Sequence, residues 1–106
     1  MYLFKIDMTT YDGIEHSIFK IGEVLSEYFR ADDFEIEETY EGREFHYDKF
    51  EIQLNGNCND TFYFEQFHKQ YDFRTNKMYG FYRLTASTAD WGMLTTEDII
   101  IEYNKL

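Results

Sequence analysis

The chain has 106 residues, of which 43% are apolar and 21% aromatic, and it carries a formal net charge of -11. That length suits one domain, residues 1–106, and 11 Phe with 10 Tyr supply enough buriable ring area to exclude an intrinsically disordered chain. The acidic excess disfavours unaided binding to phosphate backbones or anionic membranes through long-range repulsion, and favours a basic partner instead.

No run approaches the roughly 20 apolar residues of a membrane-spanning helix. The opening residues lack the basic and apolar regions of a signal peptide, so a cytoplasmic protein is expected. Cys58 is the single cysteine, and no internal disulfide can form. Proline is absent and glycine scarce. Both have GC-rich codons, which points to an AT-rich genome such as that of a low-GC bacterium or its phage.

In chain order, Tyr2 to Met8 alternates as a first strand with Phe4 and Ile6 on one face. Asp12-Gly13-Ile14-Glu15 fits a capping box, and Ile14, Ile18, Ile21, Leu25 and Tyr28 follow at spacings of three and four. They predict a helix from about Ile14 to Arg30, its stripe widened by Phe19 and Phe29. Gly22 within it costs roughly 1 kcal/mol against Ala, which marks it as a place of close approach to a strand.

From Asp33 to Tyr40 the period becomes two: Phe34, Ile36 and Tyr40 point one way, Asp33, Glu35, Glu37 and Thr39 the other. Glu41-Gly42-Arg43 predicts a turn. The return strand, Glu44 to Leu54, switches parity between Tyr47 and Phe50, which implies a bulge near Asp48-Lys49. Asn55 to Asp60 predicts a loop, and Thr61 to Phe67 and Met78 to Thr85 two further strands. At the end, Thr95-Thr96-Glu97-Asp98 has the pattern of a helix start while Ile99-Ile100-Ile101 has strand-like branching; a short helix is the preferred reading. The order β, α, then a strand meander predicts an α+β fold, one amphipathic helix on a mainly antiparallel sheet of four or five strands.

The charge is concentrated. Residues 31 to 51 hold nine acidic side chains against Arg43 and Lys49, a net -7 of the total -11. Alternate strand residues lie roughly 6.6 to 6.8 Å apart, so Asp33, Glu35 and Glu37 form a row of carboxylates that imitates a phosphate backbone. The expected partner-binding residues are Asp32, Asp33, Glu35, Glu37, Glu38, Glu41 and Glu44, and the expected partner is a basic protein surface, in particular a nucleic-acid-binding protein or nuclease. The plain alternative is a solvated outer face that keeps the protein soluble.

In size and clustered acid the chain resembles, as a class, the small phage-encoded anti-restriction and anti-CRISPR inhibitors, many of them acidic, cysteine-poor mimics of nucleic acid. It shares the same features with immunity proteins that neutralise nuclease toxins. No motif aligns with either, and no functional residue is carried over.

A second segment has the opposite character. Residues 66 to 84 carry Lys69, Arg74, Lys77 and Arg83 against Asp72, interleaved with Phe67, Tyr71, Phe73, Tyr79, Phe81 and Tyr82. Lys77-Met78-Tyr79-Gly80-Phe81 partly resembles the first aromatic motif of RNA-recognition domains, with Met78 and Tyr82 departing from it, so a small RNA- or single-stranded-DNA-binding domain is the alternative function. A buried aromatic strand with snorkelling bases is the simpler expectation.

Catalytic patterns are missing. His16, His46 and His68 stand apart, without paired cysteines, a His-Glu-x-x-His pair or a phosphate-cradling glycine loop, so neither a metal nor a cofactor is expected. A Cys58–His46 pair is weaker than a plain exposed histidine. Asn55, Asn57 and Asn59 mimic alternate calcium ligands, but Gln66 stands where the closing acid belongs.

Overall fold

The computed structural model describes residues 2–40, 47–57 and 59–105. Strand β1 (Phe4–Asp7) turns Phe4 and Ile6 inward, and the chain then enters helix α1 (Tyr11–Tyr28). The helix starts earlier than its acidic box suggests. Thr10, with extended dihedrals, accepts the Gly13 amide N–H on its hydroxyl at 3.0 Å and is the N-cap. Asp12 instead lies in the first turn, where its charge favours the positive end of the helix dipole. The helix closes at Phe29, and Arg30 leaves it in the left-handed region at φ 56°.

Ile14, Ile18, Ile21 and Leu25 are wholly buried, and Val24 and Ser17 join them. Two residues expected on the stripe behave otherwise: Tyr28 is exposed at the helix end, and Phe19 is half exposed, resting against Phe34 with ring centroids 5.0 Å apart. Gly22 is the point of closest approach, because a Cβ there would overlap the Phe34 ring.

The remaining strands are β2 (Asp33–Tyr40), β3 (Tyr47–Asn55), β4 (Thr61–Asp72) and β5 (Lys77–Ser87). They pair as an antiparallel meander, and β1 adds to β5, giving the sheet order β1-β5-β4-β3-β2. Helix α1 therefore carries the chain from one edge of the sheet to the other. The bulge expected near Asp48-Lys49 is present: Thr39 pairs with Lys49 and Tyr40 with Tyr47, leaving Asp48 as the extra residue. The turn expected at Glu41-Gly42-Arg43 lies outside the described residues.

Strands β4 and β5 run further than their sequence pattern suggested, because pairing continues to Asp72–Lys77 and builds a long two-stranded arm. A second bulge at Phe67 separates the pairs Gln66–Tyr82 and His68–Phe81. The C-terminal segment is helix α2 (Thr96–Asn104), opened by a capping box between Thr95 and Asp98. Ile99, Ile100 and Tyr103 are buried at helical spacing, and the Tyr103 hydroxyl donates to the Lys5 carbonyl. Helical pairing of these three against the core outweighs the strand preference of the three isoleucines.

The result is an α+β fold in which two helices pack on a five-stranded antiparallel sheet. The layer between them combines aliphatic side chains with packed rings: Phe50 and Phe64 stack with centroids 4.6 Å apart, and Phe4 meets Phe64 edge-on at 5.3 Å. Such offset and edge-on pairs add to the area they bury. None of the described helices is long and apolar enough to cross a membrane.

Candidate interaction surfaces

The face of the sheet turned away from the helices is built by the parity of the strands. On β2, Asp33, Glu35 and Glu37 are exposed while Phe34 and Ile36 pack towards the core. Pairing sets Asn55, Gln53 and Glu51 opposite them in turn. Glu51 is flanked on its other side by Tyr63. Glu37 and Glu51 are thus direct cross-strand partners of like charge, an arrangement that destabilises a sheet.

The next row of the same face is built differently. Glu65 has Lys49 opposite it on β3 and Arg83 opposite it on β5, an alternation of sign across three strands. One part of the face is matched in charge, and the part at the β2 edge is left acidic.

Asp32 extends that acidic edge: it is exposed, its backbone N–H donates to the Asn55 carbonyl at 2.8 Å, and its side chain fills the space beside Gly56. With φ at 113°, Gly56 holds a conformation that a side chain would strain. Glu38 has Phe50 as its backbone register partner. Glu41 and Glu44 lie outside the described residues. Glu51 was absent from the expected partner-binding set; the signal for it was its parity, opposite to that of Phe50 and Ile52.

The basic and aromatic segment is not the buried strand that its composition suggested. Tyr82 turns inward and is 1% exposed, but Phe67 is 47% and Phe73 85% exposed. Tyr79 and Phe81 sit on the outer face, and β1 adds Lys5 beside them, with its ammonium 4.2 Å from the Tyr79 ring centroid. His68 stacks on Phe81 at 4.6 Å, and the Arg83 guanidinium lies 5.6 Å from the Phe67 ring. The reason for the exposure is geometric. The face turned away from the helices has no second layer to cover its rings, and on β4 every residue from Phe67 to Tyr71 is exposed.

Acids near the arm are already engaged. Asp72 accepts from the Arg74 backbone N–H at 2.9 Å, and Asp7 lies 3.7 Å from Lys77. Burial alone would raise the Asp7 carboxyl, but hydrogen bonding from Thr9 and the charge of Lys77 outweigh it and hold the group below the usual range.

The fold brings these two surfaces together on one face of the sheet. No family model, curated protein or solved structure matches this chain.

The calcium-like spacing has other hydrogen-bonding roles in the structure. Gln66, which stood in the closing position of a calcium-like loop, donates its amide to the Tyr82 hydroxyl at 3.1 Å, and the Asn57 amide donates to the Arg30 carbonyl at 3.5 Å. His46 and Cys58, considered as a pair, lie outside the described residues. Among the described residues no group of three or more His, Cys, Asp or Glu side chains is placed to hold a metal ion.

Proposed function

We propose that this protein acts by binding, as an inhibitor whose acidic β2–β3 face docks on a basic macromolecular surface. The cross-strand pair of Glu37 with Glu51 carries the reading. Two carboxylates held opposite one another oppose pairing by tenths of a kcal/mol to about 1 kcal/mol, whereas Glu65, one row away, is given a cation on each side. A partner that presents Lys or Arg to Glu35, Glu37 and Glu51 converts that repulsion into attraction on binding and speeds the encounter through long-range steering.

A row of carboxylates at strand spacing suits a groove that normally receives phosphates. The favoured partners are nucleic-acid-binding proteins or nucleases in the cytoplasm, such as a CRISPR effector or restriction enzyme met by a phage-encoded inhibitor. A nuclease toxin neutralised by its immunity protein is the same chemistry in another setting.

The test compares wild type with Glu35→Lys/Glu37→Lys as bait in lysate of the native host, with melting temperatures measured in parallel. Both side chains are exposed, so reversal leaves the fold nearly intact. A partner held by wild type at physiological salt, released as salt rises and lost by the double variant is the expected outcome. A specific partner retained equally by the folded double variant overturns the proposal.

A further inference from the structure

The outer surface of the β4–β5 arm holds a concave site of about 350 Å³, lined by Lys5, Gln70, Phe73, Arg74, Tyr79 and Phe81 among others. That volume lies within the range of small-ligand pockets. Its lining combines ring faces, a side-chain amide, two cations and the carboxylate of Asp72, which accepts from the Arg74 backbone N–H at 2.9 Å. Tyr79 and Phe81 stand one pleat apart on β5, about 6.6 to 6.8 Å, and Phe73 at the turn is 85% exposed, in edge contact with Tyr71 at 5.0 Å. A ring so placed can turn to cover a flat ligand, exchanging its edge contact with Tyr71 for stacking on the ligand.

From these residues we infer that the arm binds single-stranded nucleic acid, with one nucleotide seated between Phe73 and Tyr79 and its phosphates met by Lys5 and Arg74. The chemistry selects this ligand. Unpaired bases offer flat π-faces to aromatic side chains, which paired bases in a duplex do not, and the Gln70 amide can donate to and accept from a base edge. The cations supply the backbone contacts. An acidic peptide would use Lys5 and Arg74 but leave the rings without a matching surface.

The overall charge of -11 does not prevent this. Strand β2, which carries Glu35 and Glu37, lies three strands from β5 in the sheet. That is about 14 Å at the usual strand spacing, beyond a Debye length of about 8 Å at physiological salt. The five-residue set of Lys5, Lys69, Arg74, Lys77 and Arg83 meanwhile places half of the ten Lys and Arg of the chain on the arm and its neighbouring strand.

The experiment is a fluorescence-anisotropy titration of the intact protein into a labelled oligothymidine, repeated over a range of salt, with poly-glutamate as competitor. Wild type is expected to bind with micromolar affinity. Phe73→Ala, whose melting temperature is expected to be unchanged because the ring is solvent-exposed, weakens binding about tenfold through lost stacking. Lys5→Ala/Arg74→Ala lowers the slope of log affinity against log salt by about 1.4, from about 0.7 per phosphate contact on a single strand. A flat titration at low salt overturns the inference. So does affinity unchanged by Phe73→Ala, or poly-glutamate competing as well as unlabelled oligothymidine, which would assign the site to acidic proteins. Glu35→Lys/Glu37→Lys keeps the arm's oligonucleotide binding, so failure of the acidic-face reading and failure of this one are separate results.

Discussion

Gly22 of α1 lies so close to Phe34 of β2 that a methyl group on the glycine would occupy the space of the ring. This contact fixes how far the helix stands from the edge of the sheet that carries the acidic row. Ala is the better helix former by roughly 1 kcal/mol, yet overpacking typically costs about 1 to 3 kcal/mol. Gly22→Ala should therefore destabilise the protein in urea denaturation, and adding Phe34→Leu should recover part of the loss. A stabilised single variant would show that the ring yields freely.

Leu25 is wholly buried beneath the sheet, and Glu23, two positions earlier, is exposed. Leu25→Ala should lower stability by about 2 to 5 kcal/mol, the range for a leucine cavity. Glu23→Ala should fall within about 0.5 kcal/mol of wild type. Similar midpoints for the two variants would contradict the packing of α1.

Burial raises the Tyr82 and Tyr103 hydroxyls from the ordinary 10.0 to about 12, against the lowering effect of hydrogen bonds from Gln66 and Ser17 respectively. Between those two pH values the unfolded chain gives up protons that the native protein keeps. Each tyrosine thus contributes stability that is fully present below pH 10 and is lost as pH rises through about 12, on the order of 2 to 3 kcal/mol apiece. Denaturation midpoints at about pH 9 and about pH 11.5 should differ strongly for wild type and less for Tyr82→Phe. An equal drop in both proteins would remove Tyr82 from the account.

Replacing Glu51 by Lys turns the like-charge pair with Glu37 into an attractive one. Stability should rise by about 0.2 to 1 kcal/mol, most clearly at low salt, while affinity for a basic partner falls. A melting temperature that drops at low salt would show that the two carboxylates do not interact across β2 and β3.

Periodicity made much of this fold legible. The stripe of Ile14, Ile18, Ile21 and Leu25, the alternation of Asp33 to Glu37 and the parity switch at Asp48 each follow from a local repeat of 3.6 or 2 residues, and the structure carries all three. Gly22 was legible too, since a glycine inside a good helix pattern asks for a neighbour that needs the space. The Thr10 cap was less so, because Asp12 and Thr10 are both good capping residues and only the incoming backbone direction decides between them.

What the sequence determined by itself was therefore the elements up to the last, the faces of the strands and the concentration of acid in one segment, while packing of Ile99, Ile100 and Tyr103 on the core settled α2 as a helix. Tertiary structure decided which strands are neighbours, and the interaction surfaces depend on that. Opposition of Glu37 to Glu51 requires the β2–β3 register, the charge-matched row of Lys49, Glu65 and Arg83 requires three strands in order, and Lys5 reaches Tyr79 only because β1 joins β5 from the far end of the chain. Exposure of Phe67 and Phe73 has the same origin. A hydrophobic side chain is buried only where another layer covers it, and how far the helices reach along the sheet is a property of the packed whole, not of residues 66 to 84.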